Sequence, residues 1–187
     1  MKRLSARLLD DDDLPIRVKW LNTAAIFQQL VISAPVSLAE TKRWFANTLL
    51  NTVRRDFAFD LIEAGKATLI AMGGLTNINH NHKTAELYIF VDPCQTGKGI
   101  GQQAVTWLCN YAFTQLGLNR ILLFTVENNS RARQFYQRLG FFHEGILREH
   151  IFYHGKFIDR HIQSLLKSEW EMQKWANKTL MLELSFE

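Results

Sequence analysis

One glycine-rich stretch decides how the fold of this chain is interpreted, and its sequence is Val91-Asp92-Pro93-Cys94-Gln95-Thr96-Gly97-Lys98-Gly99-Ile100-Gly101. An apolar, β-branched and aromatic run over residues 84–91 predicts a strand directly before it. Apolar residues at helical spacing predict a helix over residues 100–116, which Gly117 ends. The N–H groups of the first helical turn are therefore free to bind an anion. Glycine has no Cβ, so a phosphate can approach this backbone closely, and Lys98 adds positive charge at the rim.

Strand and helix patterns on either side of this stretch predict a mixed α/β fold. Further strands are expected over residues 57–62, 67–76, 120–126, 141–147 and 157–166. Gly65 supplies the positive φ that a tight hairpin between the first two requires. A helix begins at Asn129 or Ser130, and a capping box from Ser37 to Glu40 begins an earlier one. We expect a largely antiparallel sheet with one strand–helix–strand crossover in its middle.

Length and composition limit the classes of protein that this chain can belong to. It has 187 residues, 47% of them hydrophobic, so a single domain over residues 1–187 is expected. The net charge of +4 is not gathered into Lys/Arg runs, which argues against nucleic acid as a partner. Apolar runs are too short to span a membrane, and residues 1–7 lack the apolar segment of a secretory leader. With Cys94 and Cys109 expected as free thiols, we predict a cytoplasmic protein without a membrane partner.

Two other kinds of phosphate-binding loop fit the glycine-rich stretch less well. A P-loop needs Ser or Thr after Gly-Lys to hold magnesium, whereas Gly99 follows Lys98 here. A dinucleotide-binding turn needs a G-x-G-x-x-G spacing and an acidic residue about 20 residues later. The spacing here is G-x-G-x-G, and no such acid follows. On these residues alone, the alternative that this loop only turns the chain and binds no phosphate remains possible.

Two separate motifs together resemble the GNAT superfamily of acetyl-coenzyme A-dependent N-acetyltransferases. The matching residues are Val91-Asp92-Pro93, the glycine turn, and Asn129-Ser130-Arg131-Ala132 with Tyr136 and Leu139-Gly140-Phe141. The resemblance covers nearly the whole chain. Leu147-Arg148-Glu149-His150 resembles the branch of ribosomal-protein N-terminal acetyltransferases, which shares much of its pattern with polyamine and nucleotide-amino-sugar acetyltransferases. The resemblance implies the acyl-CoA N-acyltransferase fold, with a mixed, mostly antiparallel central sheet flanked by helices.

The resemblance also implies how acetyl-CoA, the co-substrate, is bound. The pantetheine arm is expected to pair with the backbone near Phe90 and Val91, and Asn129 to bond the arm or to cap its own helix. The pyrophosphate is expected on the turn formed by Thr96, Gly97, Lys98, Gly99, Ile100 and Gly101. The family usually has Arg or Gln where this chain has Thr96. Binding should survive this change because backbone N–H groups carry most of the cradle.

No metal is expected in this site. The sequence His80-Asn81-His82 lies in a polar turn between strands and has no other ligands at the spacing that a metal site needs.

Two residues are candidates for the proton transfers when an amine attacks the thioester directly. Tyr136 matches the family's general acid, because a phenol with a pKa of about 10 is protonated at neutral pH. The alternative is an apolar helix stripe in which its hydroxyl is incidental. Glu86 is the candidate base, since it lies on the strand before the cradle and alternates with Tyr88 and Phe90. A cross-strand pair is the alternative for Glu86, and Glu149 is the second choice of base.

The sequence leaves the acceptor amine open between a protein N-terminus and a small molecule such as a polyamine or a nucleotide-linked amino sugar. Basic residues in the expected acceptor regions favour an acceptor with a phosphate or carboxylate: Arg17, Lys19, Lys42, Arg43, Arg148, His150 and Lys156. A non-catalytic acyl-CoA sensor is the alternative from another class, and Tyr136 argues against it. A predicted terminal strand over residues 179–186 favours a homodimer, because edge strands tend to find partners.

Overall fold

The computed structural model describes residues 2–173. Its strands are β1 (Lys2–Leu8), β2 (Arg55–Glu63), β3 (Lys66–Asn79), β4 (Thr84–Val91), β5 (Arg120–Val126), β6 (Phe142–Tyr153) and β7 (Lys156–Leu166). Its α-helices are α1 (Leu14–Leu21), α2 (Ala24–Leu30), α3 (Leu38–Leu49), α4 (Ile100–Asn110), α5 (Ser130–Arg138) and α6 (Lys167–Glu171). The terminal strand expected over residues 179–186 lies outside the described residues.

All of these strands form one sheet in the order β1-β2-β3-β4-β5-β7-β6. Neighbouring strands are antiparallel except β4 and β5, which are parallel because α4 crosses between them. This confirms the predicted mixed, mostly antiparallel sheet with one crossover in its middle. The capping box at α3 is also present, since Ser37 Oγ accepts from the Glu40 N–H at 3.1 Å.

The parallel strands β4 and β5 separate toward their carboxyl ends and leave a gap between them. β4 and β5 pair only from Thr84 opposite Arg120 to Glu86 opposite Leu122. Both strands continue beyond that point, to Val91 and to Val126. Within residues 2–173, the backbone of β4 after Glu86 therefore has no strand partner on its β5 side, and the glycine turn lies at the end of this gap.

Each face of the sheet carries its own hydrophobic core. On one face, α4 and the π-helical turn that follows it bury the predicted stripe of Ala104, Leu108 and Ala112, all 0% exposed. On the other face, residues from the three N-terminal helices and from β2, β3 and β4 form a second core, and Trp20 contacts Phe90 edge-on. The sheet thus lies between two helical layers, which fixes the ends of β4 and β5 from both sides.

Several elements differ from the sequence prediction. β1 was not predicted, because its only buried apolar side chains are Leu4 and Ala6 between charged and polar ones, and its pairing with β2 decides its structure. The N-terminal region has three helices, whereas the sequence predicts two, one after the acidic run Asp10–Asp13 and one at the capping box. The helix expected over residues 100–116 ends as a π-helical turn, Tyr111–Gln115. Such turns depend on packing rather than on apolar spacing.

Among residues 2–173, no helix is both long enough and apolar enough to cross a membrane. Cys94 is exposed and Cys109 is buried, and both are free thiols as predicted.

Candidate active site

A main cavity of about 680 Å³ lies where β4 and β5 part. Its floor is the end of β4, Ile89, Phe90 and Val91, and one wall is the glycine turn. Residues along the whole length of α5 form the opposite wall, and residues along α2, from Ala25 to Leu30, cover the cavity. Because three elements and a turn meet here, residues far apart in sequence line one concave surface.

The glycine turn presents bare backbone amides to this cavity. Gly97 and Gly99 have φ of +82° and +78°, a conformation that side chains other than glycine's rarely adopt. No atom lies within 4 Å of where a Cβ would stand at either residue, so space for a ligand is open there. The N–H groups of residues 97–101 make no hydrogen bond with any residue from 2 to 173. Gly99 caps α4 without a side-chain bond, so these amides stand at the positive end of the helix dipole.

The polar side chains of this turn take different positions. Thr96 lines the main cavity, and its hydroxyl donates a long bond of 3.4 Å to the Pro93 carbonyl. Lys98 is absent from the lining, and its Nζ donates to Gln95 Oε1 at 2.8 Å. The ammonium group of Lys98 is thus held on the outer side of the turn, where its charge acts at the rim.

Asn129 stands at the opposite wall and caps α5. Its side-chain oxygen accepts a bond of 3.0 Å from the Ala132 N–H, and the residue also lines the main cavity. The geometry is that of a helix N-cap at the edge of the cavity.

Tyr136 lies at the bottom of the main cavity, with 8% of its surface exposed. Its ring packs between Phe135 and Phe141, at centroid distances of 5.0 and 5.6 Å. Its hydroxyl makes no hydrogen bond with a described residue. Burial raises the pKa of this phenol well above its usual value, so the hydroxyl carries its proton at neutral pH.

A small cavity of about 130 Å³ adjoins the main one behind Tyr136. The two cavities share Gln29, Leu30, Ile89 and Tyr136 in their linings. Glu86 lines only the small cavity, and one of its carboxylate oxygens accepts from Asn77 Nδ2 at 3.0 Å. The structure therefore brings a protonated phenol and a carboxylate to one small chamber, whereas Glu149 lines neither cavity.

One covering helix and three arginines at this site were not predicted as site residues. The wall from α2 was missed because that helix itself was not predicted. Arg131 and Arg138 line the main cavity, which has no acidic residue in its lining. Their spacing of seven residues, with Phe135 between them, places all three on one helix face and could have revealed them. Arg160 lines the small cavity, and no local sequence pattern marks it as a site residue.

The imidazole groups do not gather into a metal site among the described residues. His143 Nε2 lies 3.0 Å from His161 Nδ1, which is a hydrogen bond between two rings. No group of three or more metal-binding side chains exists within residues 2–173.

Comparison with known proteins places the chain among acetyltransferases. Residues 3–142 match the family model described as an acetyltransferase (GNAT) domain. The chain is 32% identical to "Putative ribosomal N-acetyltransferase YdaF" of Bacillus subtilis (strain 168), over 92% of this chain and 96% of that protein. The crystal structure of spermidine N-acetyltransferase from Vibrio cholerae in complex with CoA and spermine is similar, with a TM-score of 0.82, 28% identity and coverage of 89% and 96% of the two chains. A dodecameric structure of spermidine N-acetyltransferase from Vibrio cholerae in an intermediate state gives a TM-score of 0.78 at 26% identity, with coverage of 91% and 98%.

Proposed function

The chain belongs to the GNAT acetyltransferase family and transfers the acetyl group of acetyl-CoA to an amine, and we propose that the main cavity holds the coenzyme while the small cavity receives the amine. One observation carries this assignment. The bare amides of residues 97–101 stand at the end of the gap between β4 and β5, and that gap leads past Tyr136 to Glu86. A diphosphate at one end of the gap thus directs a thioester toward the other.

In this proposal the coenzyme is bound mainly by backbone. The amides from Gly97 to Gly101 bind the pyrophosphate, with Thr96 beside them and Lys98 at the rim. The pantetheine arm lies along the free edge of β4 and pairs with Phe90 and Val91 as an added strand would. Asn129 keeps its capping bond and adds a polar contact to the arm. Arg131 and Arg138 offset the negative charge of the phosphates.

The chemical step is a direct attack by the neutral amine on the thioester carbon. The nitrogen forms its bond to that carbon, and the carbon–sulfur bond breaks with its electron pair moving to sulfur. Tyr136 donates its proton to the departing thiolate, and Glu86 takes the excess proton from the nitrogen, directly or through a water. The products are the N-acetyl amine and coenzyme A. Solvent then returns a proton to Tyr136 and removes one from Glu86.

The acceptor is proposed to be a small-molecule primary amine. The small cavity admits only the reacting end of a substrate, since ligand pockets usually measure about 300–1,000 Å³. A polyamine is the candidate that the spermine complex of the Vibrio cholerae relative supports. A protein N-terminus and a nucleotide-linked amino sugar are the remaining candidates, and an acyl-CoA sensor without turnover is the candidate from another class.

The chain is further proposed to act as a single domain over residues 1–187, in the cytoplasm, and as a homodimer. Free Cys94 and Cys109 thiols fit a reducing compartment. β6 is an edge of the described sheet and exposes large apolar side chains, among them Phe142 at 64% and Phe152 at 65%. Apolar groups on a strand edge favour contact with another chain.

Replacement of Tyr136 by phenylalanine tests the proposed function. We expect Tyr136→Phe to lower kcat by about 100-fold or more, because the thiolate loses its proton donor. The affinity for acetyl-CoA, measured by calorimetry, should not change, since no other contact is removed. Release of coenzyme A thiol with a panel of primary amines gives the rate. Equal turnover by Tyr136→Phe and wild type would remove Tyr136 from the mechanism. If none of the amines in the panel causes release of coenzyme A thiol, the sensor is favoured.

A further inference from the structure

The lining of the small cavity includes a positively charged side chain, Arg160, that the proposed mechanism does not use. The same lining includes two side chains that carry full charges, Glu86 and Arg160. Arg160 lies on β7 opposite Val126 of β5, at the mouth of the gap between β4 and β5. The acceptor therefore enters a chamber with one carboxylate and one guanidinium.

Glu86 and Arg160 project from the same face of the sheet on opposite sides of β5. Glu86 stands opposite Leu122, and in the β5–β7 ladder Val126 stands opposite Arg160. Residues that face each other across strands share a face, and Leu122 and Val126 share one because they are an even number of positions apart. Phe124 lies between them on β5. The two charges thus mark the two sides of the chamber, and no ion pair joins them among the described residues.

The guanidinium of Arg160 is positioned but not satisfied. Its Cζ lies over the Phe124 ring, 4.3 Å from the ring centroid, in a cation–π contact. Its Nε is buried and has no hydrogen-bond partner among residues 2–173. No side-chain hydrogen bond or ion pair of Arg160 exists within the described part of the chain. A buried donor without a partner costs free energy, and a charged one costs more, so a ligand that accepts from Arg160 would be stabilised.

We propose that Arg160 binds an anionic oxygen of the acceptor, so that the substrate is a primary amine that also carries a carboxylate or a phosphate group. This inference rests on the proposed function, because it assumes that the amine nitrogen lies between Tyr136 and Glu86. The guanidinium fork matches either anion with paired hydrogen bonds. A polyamine offers only cationic nitrogens to this site, so it would leave Arg160 unsatisfied and repel it.

Matched pairs of amines test the inference on the intact wild-type chain. Each pair has the same carbon chain with and without an anion: ω-amino carboxylates against alkylamines, and aminoalkyl phosphates against the corresponding amino alcohols, with spermidine included. We expect kcat/KM to be about 10-fold to 100-fold higher for the anionic member of at least one pair, since charged hydrogen bonds are worth this much. The carboxylate and phosphate arms show which anion is preferred.

Variants of Arg160 separate its role from the general charge of the chain. Arg160→Gln should remove the preference for the anionic amine through a higher KM for that amine, with the affinity for acetyl-CoA unchanged. Arg160→Lys should retain part of the preference, because it keeps the charge but not the fork. Arg148→Gln is the matched control, since Arg148 is exposed and lines neither cavity, and should behave as wild type.

The outcomes distinguish the two claims. Turnover with equal kcat/KM within every pair, a preference for spermidine, or an anion preference that survives Arg160→Gln would overturn the inference and leave the acetyltransferase assignment intact. If no tested amine causes release of coenzyme A thiol, the proposed acceptor site is overturned, and the inference with it.

Discussion

Tyr136 and Glu86 owe their chemistry to different surroundings. Tyr136 lies among aromatic rings, and burial raises its pKa, so it is a proton donor over the whole neutral range. Glu86 keeps one hydrogen bond from Asn77 and faces the small cavity. An alkylamine with a pKa of about 10 arrives mostly protonated at neutral pH, so a nearby carboxylate has a proton to accept. In the proposed mechanism, Tyr136 is the acid and Glu86 is the base, and both line the small cavity.

Replacement of Glu86 by glutamine should change how the rate depends on pH. We expect Glu86→Gln to lower kcat/KM at pH 7 by about 100-fold, because the amine must then lose its proton to solvent. The rate of the variant should keep rising toward the pKa of the amine, whereas the wild-type rate levels off earlier. Thiol release from pH 6 to pH 10 measures both profiles. Glu149→Gln is the control and should match wild type; a wild-type profile for Glu86→Gln would exclude Glu86 as the base.

Single residues differ in how well the sequence predicts them. The place of Glu86 beside the cavity follows from strand alternation, and the cap at Asn129 follows from its position before a helix. Arg160 could not be found this way, because its surroundings depend on β7 lying beside β5, far away in sequence. Local spacing predicts the face of a strand on which a residue lies, but not which strand becomes its neighbour.

At the scale of elements, the site depends on how β4 ends and α4 begins. The strand, the glycines and the first helical turn were all predictable, since each has a local pattern. β4 was predicted with the bounds that the structure shows. β1 and the helix α2 were not, because their structure is decided by what they pack against, and α2 supplies the cover of both cavities. The parting of β4 from β5 likewise follows from packing on both faces.

Two glycines with the same backbone angle provide a matched test of the cradle. Gly99 and Gly65 both have φ +78° and open space where a Cβ would stand. Alanine at either position should lower the free energy of unfolding by about 1 kcal/mol, because the left-handed conformation is strained. Only Gly99→Ala should raise the Kd for acetyl-CoA, by about 10-fold or more, since its Cβ occupies the place of a phosphate. Calorimetry measures the Kd, and urea unfolding measures the free energy of unfolding. Equal Kd values for the two variants would contradict the proposal that the glycine turn binds the pyrophosphate.

At the scale of the whole molecule, a buried polar cluster ties the N-terminal helices to the sheet. The Tyr88 hydroxyl donates to Asp56, whose carboxylate also accepts from Arg54 Nε at 2.6 Å. Arg17 and Arg54 both lie over the Trp44 ring, at 4.3 and 4.9 Å from its centroid. This cluster lies on the face of the sheet opposite α4 and connects α1 and α3 to β2 and β4.

Tyr88 should make the stability of the fold depend on alkaline pH. Burial raises the pKa of its phenol to about 12. A raised folded-state pKa favours the protonated form, so this stabilisation is complete below the unfolded value of about 10 and is lost as pH rises toward 12. Between pH 9 and pH 11 we expect the wild type to lose about 1 kcal/mol more than Tyr88→Phe in urea unfolding. Equal losses in wild type and Tyr88→Phe would contradict this role for Tyr88.

Amide hydrogen exchange with and without acetyl-CoA tests most directly whether the coenzyme lies on the glycine turn and along the parted edge of β4. Exchange at residues 97–101 should slow when acetyl-CoA is added, since those N–H groups have no hydrogen-bond partner in the described part of the chain. Exchange should also slow at Ile89, Phe90 or Val91, where the pantetheine arm pairs with the strand. Binding that is evident by calorimetry but leaves both segments unchanged would contradict the account.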